Sequence, residues 1–323
     1  MLESLDTPPG KADQFLWTDF VELRALIHPD RCFSRGDFQS LGGRAKDASV
    51  DRPFSEDENN DKSAYGRGAV IEKRWREIID FSCIRTSDYG EAYPFNISDD
   101  GDTLELTLSE RNSLGQRFYL SLLLASLLRH FPRKLMPEVG RYFEESCLLI
   151  FSKLMPEGAR IKKTWAGGGA EAPYQGTLYE KMRQIAEDLR CPANFKARDF
   201  KRSDTGDGGI DLISWHPMAD DRDGMPIAFA QCGCSTTDWT FKQLEASPTK
   251  HRRHFPVIHP WATYYFLPVD LRHPDGGWAY ASDIAEAIIV DRLRMIRLAA
   301  QYGLHDQLPD LPVREEVMAL SLC

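Results

Sequence analysis

The chain has 323 residues, 42% of them hydrophobic, and a formal net charge of -9. That is enough apolar content to bury a sizeable core in one large or two modest domains, which excludes a disordered or fibrous chain. The negative balance argues against a nonspecific nucleic-acid coat, because phosphate contacts draw on Lys and Arg.

Taken in chain order, Gln14–Ile27 carries a broad apolar stripe at helical spacing, and Val70–Cys83 carries another through Trp75, Ile78 and Ile79. Between them, Gly42–Gly68 is rich in Gly, Asp, Glu, Asn and Ser and reads as a mobile loop or linker. Leu104–Leu108 alternates like a strand, and Gln116–Phe131 and Pro137–Leu154 read as a helical hairpin contributing to a first-half core. The glycine break at Gly167–Gly169 divides a mainly helical region, 1–166, from a second domain, 170–323. No internal repeat is visible.

In the second domain, Gly176–Leu189 places Leu178, Met182, Ile185, Ala186 and Leu189 on one helical face, with Glu180 in the first turn. Gly206-Asp207-Gly208-Gly209-Ile210-Asp211 then opens an apolar strand through Leu212–Trp215, and a polar connection, Met218–Pro226, leads to a second strand, Ile227–Gly233. Period-two alternation puts Ile227, Phe229 and Gln231 on one face and Ala228, Ala230 and Cys232 on the other. A carboxylate in such an apolar strand needs a partner, and a hard divalent cation suits Asp211. Asp207 reads as part of an ordinary Gly-Asp-Gly-Gly turn. Thr236-Thr237-Asp238 is expected to cap a helix over Trp239–Ala246, stopped by Pro248, with Lys242 one turn after Trp239 and on its side. Ala262–Leu267 is a further buried strand ended by Pro268, and Asp283–Tyr302 closes the fold as a strand-to-helix or continuous helical element. Within it, Asp291 and Arg292 are expected to form an internal ion pair.

Two basic patches flank the motif: Lys196, Arg198, Lys201 and Arg202 before it, and Lys250, Arg252 and Arg253 after it. His251 and His254 fall in the second patch and read as part of it. Flanking a phosphodiesterase site, both patches are expected to contact phosphates. The seven cysteines are scattered, which suits a reducing compartment, and only Cys232 and Cys234 lie close together, without zinc-site spacing around them. Cys232 is expected to be buried and turned away from the site. Met1–Asp6 lacks the basic start and apolar run of a secretory leader, and Phe118–Leu128 is too short to span a bilayer. A cytoplasmic protein without membrane association is expected.

The motif set resembles the PD-(D/E)xK superfamily of restriction-endonuclease-like nucleases, most closely its Mrr-type branch. That family's pattern is an aromatic-Glu pair opening a helix, then Gly-Asp-Gly-Gly-Ile-Asp, then a strand ending Gln-Cys-Lys. The matching residues are Tyr179-Glu180, Gly206–Asp211 and Gln231-Cys232, within a span of 176–267. Phe143-Glu144 offers a rival aromatic-Glu pair, but Tyr179-Glu180 lies nearer to Asp211 and after the glycine break. The resemblance implies an α/β fold, a restriction-endonuclease-like mixed β-sheet core flanked by helices and preceded by the helical region. It also implies Mg2+-dependent hydrolysis of DNA (RNA not excluded), with Mn2+ as a possible substitute, in restriction or anti-phage defence. Asp211, Glu180 and Gln231 would be the metal ligands. One departure matters: Gly233 stands where the family has its lysine. Some members carry that lysine on a neighbouring helix, which makes Lys242 the candidate replacement. An ordinary exposed lysine is the other reading of Lys242. The departure leaves as the main alternative a catalytically degenerate nuclease fold that binds nucleic acid or a partner protein. A homo-oligomer, or a subunit needing a motor or sensor partner, is also compatible with the sequence.

Overall fold

The computed structural model describes residues 2, 3, 5, 7–11, 13–44, 64–108, 113–164 and 172–319. Most of the expected 42–68 loop and the Gly167–Gly169 break lie outside the described residues. In chain order the elements are α1 (Gln14–Ile27), β1 (Cys32–Ser34), α2 (Arg35–Arg44), α3 (Ala64–Tyr89), β2 (Phe95–Ile97), β3 (Thr103–Leu106), α4 (Ser113–Ser126), α5 (Met136–Leu154), β4 (Arg160–Lys163), α6 (Leu178–Asp188), β5 (Leu212–Trp215), β6 (Ile227–Cys232), α7 (Trp239–Lys242), α8 (Pro248–His251), β7 (Ala262–Phe266), β8 (Ile288–Val290), α9 (Arg292–Gln301) and α10 (Pro312–Met318).

The chain divides into two units, one of Met1–Tyr142, Val269–Ala279 and Pro309–Cys323, the other of Phe143–Pro268 and Tyr280–Leu308. The first is mainly helical around a small antiparallel sheet of order β1-β3-β2. Its α1 is buried almost all round, including Asp19 and Glu22, so those acids need an internal partner. Arg85 of α3 supplies it. The guanidinium lies 2.8 Å from Asp19, 2.7 Å from Glu22 and 3.1 Å from Asp270. The Tyr119 hydroxyl donates to Glu22 at 2.9 Å, and that of Tyr93 does so at 2.8 Å.

The second unit is built on a five-stranded sheet of order β4-β5-β6-β7-β8. The β4-β5-β6 pairs are antiparallel, and the β6-β7-β8 pairs are parallel. Every residue of the central strand β6 is buried, as its apolar run requires. The register sets Leu212 against Ala230 and Gln231 against Tyr265. On the Ile213–Phe229 face, α6 packs through Leu178, Met182 and Ile185. On the other face α5 packs Phe151 against Tyr264 and Phe266, at centroid distances of 5.5 and 6.3 Å. This second half of α5 therefore serves the larger sheet, whereas its sequence read as part of a first-half core.

The fold is α/β: a mixed sheet flanked by helices, after a mainly helical amino-terminal region. That is the architecture expected of a restriction-endonuclease-like core. The last segment resolves as strand then helix, with Asp291 capping α9 by accepting the Arg294 N–H at 3.1 Å. Arg292 is buried and donates to the Pro268 carbonyl at 2.8 Å. The helix expected over Trp239–Ala246 ends at Lys242 instead, and Asp238 makes no side-chain cap. Tertiary bonds win there: the Gln243 amide donates to the carbonyl of Asp283 at 2.6 Å and accepts from the Ala285 N–H at 3.0 Å. Among the described residues no helix is long and apolar enough to cross a membrane.

Candidate functional site

Asp211 stands immediately before β5, already in the sheet ladder: its N–H donates to Ala230 and its carbonyl accepts from Thr164, both at 2.9 Å. Its side chain shares the face of Ile213 and is 4% exposed. The carboxylate accepts the Cys232 N–H at 2.6 Å and forms no ion pair among the described residues. Cys232 thus serves the site through its backbone, while its thiol lies against Cys147 of α5, on the opposite face as alternation requires.

The glycine-rich loop before Asp211 is shaped by local and tertiary bonds. Gly208 and Gly209 have φ of +73° and +83°, a conformation that L side chains rarely adopt. A Cβ at Gly209 would also fall 2.7 Å from Glu245 Cβ. The Asp207 carboxylate accepts the Gly209 N–H at 2.7 Å, an Asx turn consistent with a structural role for Asp207. Two lysines hold the loop by its carbonyls: Lys181 reaches Thr205 at 2.6 Å and Gly206 at 3.2 Å, and Lys250 reaches Gly208 at 2.9 Å. His251, expected in an exposed basic patch, is buried beneath the loop. Burial, reinforced by Lys250, pushes its pKa down to about 3, so the neutral ring donates from Nε2 to the Glu245 carbonyl at 2.8 Å. Lys181 lies on the helical face that carries Leu178, Met182 and Ile185, but it was silent in the sequence because its partners are backbone carbonyls.

These elements surround a cavity of about 580 Å3, lined by Asp211, Gln231 and Lys242 together with Asp207, Glu144 and Glu245. Burial holds Asp211 well above the usual carboxylate range, and the neighbouring charges of Asp207, Glu144 and Glu245 add to the effect, outweighing the Cys232 bond. Gln231 Oε1 is buried and accepts no hydrogen bond. Lys242 Nζ stands 3.5 Å from Glu245. Among the described residues no three His, Cys, Asp or Glu side chains converge closely enough to hold a metal by themselves. A buried carboxylate beside an unsatisfied amide oxygen nevertheless suits a hard cation such as Mg2+, which takes one or two carboxylates and keeps much of its water.

Glu180 lies elsewhere. Its carboxylate accepts the N–H and hydroxyl of Thr177 at 2.7 and 3.0 Å, closing a capping box at the start of α6. Those two bonds lower its pKa, and the group is fully exposed rather than lining the cavity. The acid that α5 sends into the cavity is Glu144, of the rival aromatic-Glu pair. Position 233 has a steric reason to be glycine. A Cβ there would meet the Tyr265 hydroxyl at 2.4 Å and its ring carbons at 3.0 and 3.1 Å. Tyr265 is itself fully buried, and its hydroxyl has no hydrogen-bond partner. Tyr265 of the neighbouring strand fills the space beside position 233, where the resemblance would place a lysine.

Lys196, Arg198, Lys201, Arg202, Lys250, Arg252 and Arg253 are all exposed. The two patches, remote in sequence, are tied together. The N–H and side-chain amide of Asn194 reach the His254 and Arg253 carbonyls at 3.4 and 3.3 Å, and Phe195 and Phe200 pack on His254.

No protein-family model matches the chain, and no curated protein matches it. Among solved structures the chain is similar to the MspJI restriction endonuclease in complex with a 27-mer oligonucleotide, at 14% identity and a TM-score of 0.25. The match covers 66% of this chain, which spans 40% of the MspJI chain.

Proposed function

We propose that the second unit is a Mg2+-dependent nuclease that hydrolyses phosphodiester bonds of DNA. The observation that carries this reading is the buried Asp211, crowded by three further carboxylates, with no cationic partner among the described residues and the unsatisfied Gln231 oxygen beside it. Such a group stays protonated or takes a cation. Asp211 and Gln231 would hold Mg2+, with Glu144 or Glu245 as the further carboxylate in place of Glu180. The ion, when bound, offsets phosphate charge and lowers the pKa of water. Lys242, which lines the same cavity, would orient the attacking water and steady charge on the phosphate oxygens, the role that Gly233 cannot fill. The exposed lysines and arginines on the joined patches supply sequence-independent phosphate contacts. A defence role fits the family resemblance.

The filled lysine space favours one rival, a fold that binds DNA without cutting it. Cleavage of supercoiled plasmid with Mg2+, Mn2+ or EDTA separates the two. Metal-dependent cutting that is lost in Asp211→Ala and Lys242→Ala supports the nuclease. Cutting retained in Asp211→Ala sinks the site, and metal-independent binding without cutting by the intact protein favours the binding module.

A further inference from the structure

The cavity has an aromatic wall that the hydrolytic chemistry does not use. Phe200 and His254 line it, with ring centroids 5.7 Å apart and planes inclined by 36°. Phe195 braces both edge-on, at 5.4 and 5.7 Å, and Tyr179 closes on Phe195 and Phe200 at 6.0 and 6.1 Å. Phe200 and His254 are half-buried, so each is held by its neighbours and still presents surface to the cavity. The two rings are in contact with one another, so a planar ligand would lie against the surface that they present to the cavity rather than between them. Burial, together with Arg253, lowers the His254 pKa, so the ring is neutral at neutral pH and adds an apolar face rather than a charge. Lys201 and Arg202 follow Phe200 directly, and Arg252 and Arg253 directly precede His254, all exposed.

We propose that Phe200 and His254 form a stacking platform for one unpaired nucleobase of the DNA strand that enters the Asp211 site. The inference rests on the nuclease reading for the identity of that strand and deepens it by naming the form of DNA. A planar, weakly polar ligand attached to a polyanion matches aromatic rings bordered by arginines and lysines. A base inside a duplex already has both faces covered, so only a single-stranded or displaced base can use the platform. The substrate class is therefore DNA that is unpaired next to the cleaved bond, with frayed or gapped duplex preferred over blunt duplex.

The test measures binding apart from cleavage. Fluorescence anisotropy would follow a labelled single-stranded oligodeoxynucleotide binding to the full chain carrying Asp211→Asn, in EDTA and at fixed salt, with Phe200→Leu or Phe200→Tyr added. Leu keeps much of the apolar bulk but removes the π face; Tyr keeps both. The expected result is a loss of affinity of between about 5- and 150-fold for Leu and little change for Tyr. The salt dependence should be unaltered, since the phosphate contacts remain. The second arm needs no platform variant. The parent protein should bind a fully abasic strand more weakly than the base-bearing one, by a similar factor. Equal affinity for the two strands overturns the proposal, as does undetectable binding of either, or a folded Leu variant that binds as tightly as its parent. The nuclease reading stands or falls separately, on metal-dependent plasmid cleavage by the unmodified chain.

Discussion

Acidic side chains are buried in both units, but they are neutralised differently. In the first unit Asp19, Glu22 and Asp270 surround the Arg85 guanidinium within 3.1 Å. Burial works against that charge, but Glu22, Tyr119, Asp19 and Asp270 outweigh it, and Arg85 stays firmly protonated. In the second unit Asp211 is equally hidden, and its neighbours Asp207, Glu144 and Glu245 repel it. A buried acid cluster that contains its own cation is closed and structural. Asp211 forms no ion pair of its own among the described residues and opens on a cavity, so its ionised form is costly to the folded protein.

The strongest way to break this comparison is at Asp211. Asp211→Asn should cut plasmid cleavage by at least about 10²–10³-fold while raising the melting temperature of the metal-free protein, because it removes a repelled charge. Thermal melts with and without Mg2+ should show stabilisation by the ion in the parent and none in the variant. A variant that melts lower than the parent would show that the carboxylate is structurally satisfied. The opposite substitution is Arg85→Ala, expected to destabilise the protein by about 3–5 kcal/mol by leaving buried acids without their counter-ion, as measured by chemical denaturation. Gly233→Ala comes next. Its Cβ must displace the Tyr265 hydroxyl, at a cost of about 1–3 kcal/mol, and Tyr265→Phe on the same chain, which removes only that unpartnered hydroxyl, should recover part of the loss.

A further effect is gradual and tied to pH. The pKa of His251 is depressed from 6.5 to about 3 by burial and Lys250, so its stabilising contribution is present above pH 6.5 and lost as pH falls toward 3. Over that window the unfolded chain binds a proton that the folded one refuses. Stability should drop by up to about 1.4 kcal/mol per pH unit, a slope that His251→Gln flattens. Least affected should be Glu180→Gln, which removes part of a helix cap. Cleavage should stay within about twofold of the parent, whereas Glu144→Gln lowers it by about tenfold or more. The reverse ranking would return the acid role to Glu180.

Much of the second unit was legible because its signals are local. Period-two alternation put Gln231 and Phe229 on one face and Cys232 on the other, and the glycine loop marked the entry of Asp211 into its strand. The capping box is also local: Thr177, three residues before Glu180, offers the acid a use at its own helix end. The choice between Glu144 and Glu180 was not local. Each follows an aromatic residue on an amphipathic helix, and proximity in sequence favoured Glu180, whereas the packing of α5 on the sheet brings Glu144 to the cavity.

By itself the sequence determined the strands over Leu212–Trp215, Ile227–Cys232 and Ala262–Phe266, the main helices and the closeness of Asp211 and Gln231, because backbone periodicity and glycine conformation are fixed by neighbouring residues. Only the tertiary structure decided which further acids line the cavity with Asp211 and Gln231, why position 233 is glycine, that the two basic patches are tied together, and that Val269–Ala279 and Pro309–Cys323 belong with the first unit. Each of these depends on side chains meeting across elements far apart in the chain, where close packing and charge burial, rather than local conformational preference, select the partners.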